Sequence, residues 1–152
     1  MSGEGAPGET PVDGRDYRLA IVATRWHAEI TDALVDGAEK AAAEAGATAD
    51  TYRVPGAFEL PVVAARCAAT YDAVVCLGAV VRGGTPHFDY VCRAVTDGCV
   101  RVSLDAGTPV GFGVLTVDTL DQARERLDKG GEAVRAVLET LATLAAVDAV
   151  RT

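Results

Sequence analysis

From Asp72 to Val81 the chain reads DAVVCLGAVV, a nearly unbroken apolar run rich in valine that leads into a glycine loop. A segment with no polar face fits a central strand of a parallel sheet, covered on both sides. It is far short of the ~20 residues that a bilayer crossing needs. A second run of this kind, RLAIVAT from Arg18 to Thr24, is followed by Ile30, Leu34, Gly37, Ala38 and Ala41 at steps of three and four, the spacing of one helix face. Gly46 suits the end of that helix. Thr48 to Val54 supplies a further strand, stopped by Pro55-Gly56, and Leu60 to Ala69 a helix with Pro61 in its first turn. After the Asp72–Val81 strand a helix begins near Thr85. A fourth strand, about Pro109 to Thr116, precedes a short helix from about Thr119 and a longer one from about Glu132 to Val147. Strands alternating with helices of about ten or more residues imply right-handed crossovers and a parallel sheet. The predicted fold is therefore α/β, a three-layer flavodoxin-like sandwich with a four-stranded, mainly parallel sheet and helices on both faces.

With 152 residues, 49% of them hydrophobic, the chain has enough apolar surface for one core and too little length for two. The net charge of -8 opposes binding to nucleic acid or an anionic membrane, and no block of lysine and arginine offsets it. The opening MSGEGAPGETPVDGRD has neither the basic start nor the apolar centre of a secretion signal. Residues 1–16 are predicted to be a disordered tail, and residues 17–152 a single domain of a cytoplasmic protein. Cys67, Cys76, Cys92 and Cys99 sit in apolar segments with no CxxC pair and no histidine at metal spacing. They read as small reduced hydrophobes, with no metal site.

In an open sheet of this kind ligands bind beyond the carboxyl ends of the strands. The unusual residues cluster there: Arg25-Trp26-His27 after the first strand, Pro55 to Glu59 after the second, and Arg82 to His87 after the third. Gly83-Gly84-Thr85-Pro86 offers a pliant backbone, a capping hydroxyl and proline at a helix start. That suits a phosphate, although the spacing is not that of a P-loop, and an ordinary well-capped turn reads the same. His87 falls in the first turn of the helix, beside this candidate cradle, where an imidazole can accept a proton; only His27 competes with it. Trp26, the single tryptophan, and Phe58 can sandwich a flat heteroaromatic ring, or serve as lids over the core. Glu59 can accept hydrogen bonds from a polyol, or be a solvated acid at a helix start.

The segment GAVVRGGTPHFDYV, Gly78 to Val91, resembles the lumazine synthase signature almost position for position. PGAFELP, Pro55 to Pro61, resembles a second element of that family in the right order, and the likeness runs from about Arg18 to Val147. The resemblance implies a reaction of 5-amino-6-ribitylaminouracil with 3,4-dihydroxy-2-butanone 4-phosphate, without metal or organic cofactor. It implies His87 as the proton-transfer residue, Trp26 as the aromatic that stacks on the pyrimidine, and Ala57, Phe58 and Glu59 as ribityl and ring contacts. Val80 and Val81 would line the ring pocket. Gly84 and Thr85 match the phosphate-binding turn, and Arg126 the phosphate-binding arginine, with Arg124 as its rival. Phe112 and Lys129 match residues given to a neighbouring subunit's site, which implies a homo-oligomer.

Two departures stand out. Trp26-His27 replaces the Phe-Asn of many members, which keeps an aromatic platform. The stretch between Arg126 and Lys129-Gly130 is shorter than usual, which leaves Lys129 poorly placed by sequence and predicts pentamers rather than sixty-subunit shells. Three other readings compete. A flavin or lumazine carrier would keep the pocket without turnover. A ring-forming enzyme such as the archaeal type of riboflavin synthase is opposed by the intact PGAFELP and GGTPH elements. A scaffold protein leaves the polar edge unexplained.

Overall fold

The computed structural model describes residues 4–150. Its elements are β1 (Arg18–Thr24), α1 (Ala28–Ala45), β2 (Thr48–Val54), α2 (Leu60–Ala68), β3 (Ala73–Val81), α3 (His87–Ala106), β4 (Val110–Val117), α4 (Leu120–Arg124) and α5 (Lys129–Ala149), with a 3-10 turn at Ala57–Glu59. The sheet order is β2-β1-β3-β4, and every pairing is parallel. The expected three-layer α/β sandwich is what the chain forms.

Alternation along the two central strands explains the layers. Leu19, Ile21 and Ala23 of β1, with Val75 and Leu77 of β3, face Leu34 and Ala38 of α1 and Val134 and Leu138 of α5. Ala20 and Val22, with Val74 and Cys76, face Leu60 and Ala64 of α2 and Val95 and Cys99 of α3. Both faces of β1 and β3 are thus closed to water, as their uninterrupted apolar composition requires. Strand β2 lies at an edge, exposed until Val54, and its polar and charged side chains suit that place. All four cysteines are free thiols. No helix among the described residues is long and apolar enough to cross a membrane.

Two boundaries differ from the sequence expectation. Helix α3 starts at His87, with Pro86 just outside it and the Thr85 hydroxyl accepting from the His87 amide at 3.4 Å. Helix α5 starts at Lys129, nearly a turn before Glu132. Gly130 and Gly131 read as helix breakers by propensity. Here they let α5 approach α1: a Cβ on Gly130 would lie 2.1 Å from the Leu34 carbonyl oxygen, and one on Gly37 3.6 Å from the Gly131 nitrogen. Close packing outweighs propensity at this crossing.

Residues 1–3 of the expected tail lie outside the described residues, and Glu4 to Asp16 form neither helix nor strand. The later part of this segment nonetheless makes defined contacts. Glu9 pairs with Arg135 at 3.3 Å, Val12 packs on the α1–α5 core, and the Gly14 amide donates to the Ala45 carbonyl at 2.8 Å.

Candidate active site

In chain order β1 is followed by β2 on one side and β3 on the other, so the direction of winding reverses between β1 and β3. A crevice opens at such a switch point, beyond the carboxyl ends of the strands. The order β2-β1-β3 sets the three unusual turns side by side around it.

On one side, the Trp26 indole rests on Gly56: a Cβ there would lie 3.2 Å from Cδ1 and 3.4 Å from Nε1, so a larger residue would push the ring outward by a few tenths of an ångström. A Glu59 carboxylate oxygen lies 3.7 Å from the same point. Trp26 and Phe58 are 66% and 67% exposed, so two aromatic rings stand open to solvent beside one carboxylate. Ala57 is turned inward, into the α2–α3 core. The Arg53 guanidinium ties this side together, donating to the Thr24 carbonyl at 3.1 Å and to Asp32 at 2.6 Å.

On the other side, Val80 packs toward α2 and α3 with Ala57, whereas Val81 packs toward α1 and α5. Consecutive strand residues point to opposite faces, so the two valines face opposite layers. Gly83 and Gly84 have no atom within 4 Å of where a side chain would begin, and Thr85 and His87 are exposed. Arg82 holds this turn in place: it donates to Asp118 at 2.8 Å, pairs with Asp89 at 3.5 Å and lies 4.4 Å above the Phe88 ring. The Asp118 carboxylate raises the proton affinity of that guanidinium, against a partial opposition from burial. At the floor, between the two sides, the Thr24 hydroxyl is buried against Gly78 and has no hydrogen-bond partner among the described residues.

Residues 16–145 match the family described as 6,7-dimethyl-8-ribityllumazine synthase. Proteins of that name are similar along nearly their whole length: one from Frankia casuarinae is 61% identical, covering 95% of this chain and 96% of its own. One from Kineococcus radiotolerans is 56% identical, with 97% and 96% covered, and one from Streptomyces coelicolor 54%, with 97% of each. The chain belongs to the 6,7-dimethyl-8-ribityllumazine synthase family.

Both family elements seen in the sequence, Pro55 to Pro61 and Gly78 to Val91, carry turns at the carboxyl ends of strands, one on each side of β1. Four other candidates of this lumazine synthase fold, Phe112, Arg124, Arg126 and Lys129, come from β4 and the segments after it. Phe112 sits on β4 opposite Cys76, two rows below Gly78, and is 38% exposed. The Lys129 side chain is only 15% exposed and pairs with Glu132 at 2.9 Å where α5 crosses α1. Arg126 follows α4 and donates to the Gln122 carbonyl at 2.6 Å. Arg124 is more heavily engaged, with Asp121 at 2.7 Å and Glu29 at 3.2 Å, and Glu29 first, then Asp121, raises its proton affinity. Motif reading assigned no part to Arg82, Arg53 or Thr24. The acid partners of the two arginines lie distant in the sequence, and a threonine ending a strand carries no signal by itself.

Proposed function

We propose that this chain condenses 5-amino-6-ribitylaminouracil with 3,4-dihydroxy-2-butanone 4-phosphate to give 6,7-dimethyl-8-ribityllumazine, phosphate and water. One observation carries the reading of the site. With β1 between β2 and β3, the turn that carries an open indole seated on Gly56 beside Glu59 follows a strand next to the one whose turn carries open glycines and an imidazole, and that neighbourhood supports the reading.

Each part has a task in the chemistry. Trp26 offers a flat face for the pyrimidine, and Phe58 a second ring nearby. Glu59 accepts hydrogen bonds from ribityl hydroxyls, and Ala57, with its side chain turned inward, presents its backbone. Val80 lines the ring pocket through its side chain and Val81 through its backbone. Gly84 and Thr85 hold the phosphate at the start of α3, where amides and helix dipole favour an anion. Arg126 supplies the balancing guanidinium, because Arg124 is already paired with two carboxylates. The 5-amino group adds to the ketone and loses water to form an imine; phosphate then leaves by elimination to give an enol that becomes a carbonyl, and the ribitylamino nitrogen adds to that carbonyl and loses a second water to close the ring. Protons move at each stage, and His87 accepts and returns them. Holding both substrates in one crevice removes the entropy of their encounter.

Mixing the two substrates with the purified chain and following lumazine fluorescence and free phosphate tests the proposal. Absence of both products rejects it. Arg126→Ala is expected to raise KM for the phosphorylated substrate by about tenfold, the loss of one charge-assisted bond, with a smaller effect on the aminouracil. Equal shifts in the two KM values would remove Arg126 from phosphate binding.

The complete site is a property of an assembly in this reading, with Phe112 and Lys129 serving a neighbouring subunit. Exposed apolar side chains support it: Val62, Tyr90, Val100 and Leu104 on α2 and α3 are all more than half exposed, as an uncovered interface would be. The short Arg126–Lys129 stretch points to homopentamers. Light scattering is expected to give the mass of five chains, and a shell-sized particle would overturn the assignment.

A further inference from the structure

His27 has φ 55 and ψ 60, the one left-handed backbone at a non-glycine residue among those described. Few side chains accept that region, and histidine and asparagine are among those that do. The twist has a local use. The His27 carbonyl accepts from the amides of Ile30 at 2.9 Å and Thr31 at 3.0 Å, so α1 starts after only Arg25, Trp26 and His27 have left β1. The side chain takes no part in capping and makes no hydrogen bond among the described residues. Instead, its half-buried ring lies 6.1 Å from the Trp26 indole, with the planes at 51°. That separation falls within the roughly 4.5–7 Å over which aromatic pairs attract. The indole is therefore held on two sides, by Gly56 and by His27, while its face stays open.

We propose that His27 is a positioning residue acting through Trp26: its left-handed turn starts α1 at once with the imidazole kept beside the indole, and that imidazole braces the tilt of the ring on which the pyrimidine stacks. The inference rests on the reading that Trp26 receives that pyrimidine. A platform held before binding loses less freedom when a ligand settles on it, so the brace strengthens binding and leaves the chemical steps alone. Position 27 then has two requirements, tolerance of a left-handed backbone and a flat ring, and histidine meets both.

Because the chain has a single tryptophan, fluorescence anisotropy decay of the full-length protein reports on Trp26 alone. His27→Asn keeps the turn and removes the ring, whereas His27→Ala resists the turn as well. In His27→Asn the melting temperature is expected to stay at the wild-type value, local indole motion to quicken, and KM for the aminouracil to rise about fivefold at constant kcat, the scale of one aromatic pair. His27→Ala should add a lower melting temperature. Indole motion unchanged in His27→Asn would overturn the brace, and so would a freed indole with unchanged KM. A fall in kcat at constant KM would make His27 a proton-transfer group instead. The anisotropy arm needs no substrate, so its failure is distinct from failure of the proposed reaction.

Discussion

Gly130→Ala is expected to lower the melting temperature by roughly 4–8 °C, a loss of about 2 kcal/mol at this chain length. Helix propensity alone predicts the opposite sign, since alanine favours a helix over glycine by ~1 kcal/mol. Packing decides, because the new methyl would meet the Leu34 carbonyl oxygen at 2.1 Å, the carbonyl carbon at 2.9 Å and the Cα at 3.1 Å. These are backbone atoms, so no rotamer change relieves the clash. Helix α1 must move outward, loosening Leu34 and Ala38 against Val134 and Leu138, all nearly inaccessible to water. Overpacking of a filled interior costs about 1–3 kcal/mol, or more against rigid atoms. Thermal melting followed by circular dichroism measures the effect. An unchanged or raised melting temperature would show that the α1–α5 crossing has slack that its contacts do not suggest.

His87→Ala is expected to lower kcat by about a hundredfold or more while KM for either substrate changes little, the mark of a lost proton-transfer group. The physical ground is location. His87 is the first residue of α3, exposed, and follows the open Gly83-Gly84 turn that Arg82 fixes through Asp118 and Asp89. In the proposed reaction the departing phosphate is held at the neighbouring Gly84-Thr85 turn, so an imidazole at the start of α3 would return to the elimination step a proton released from one substrate. Steady-state rates across a range of both substrates separate the two constants. Wild-type turnover in His87→Ala would remove the residue from the mechanism, and a rise in KM alone would recast it as a binding group.

The stacking of elements was legible in the sequence because each signal is local. The apolar run ending at Val81, the spacing of Ile30, Leu34 and Ala38, and the glycine that closes α1 at residue 46 all act within a few residues of themselves. The same holds for the two motifs, whose order and length gave the family resemblance that the match over residues 16–145 bears out. The start of α5 was missed for a physical reason. Gly130-Gly131 weakens a helix in isolation, and the benefit of two glycines appears only when α1 lies against them.

What the chain's own sequence determined is the set of parts: four strands with helices between them, and three chemically unusual turns at one end of each unit. Only the tertiary structure decided that β1 lies between β2 and β3, which sets the turns around residues 26, 56 and 83 at the ends of three adjacent strands. It likewise decided that Val80 and Val81 face opposite layers, that Arg124 is paired with two carboxylates while Arg126 meets one, Glu125, at 3.7 Å, and that His27 turns left-handed beside the indole. Propensity and periodicity act over one or two helical turns. Adjacency of strands, close approach of helices and the strain a single residue accepts are settled by contacts between segments far apart along the chain.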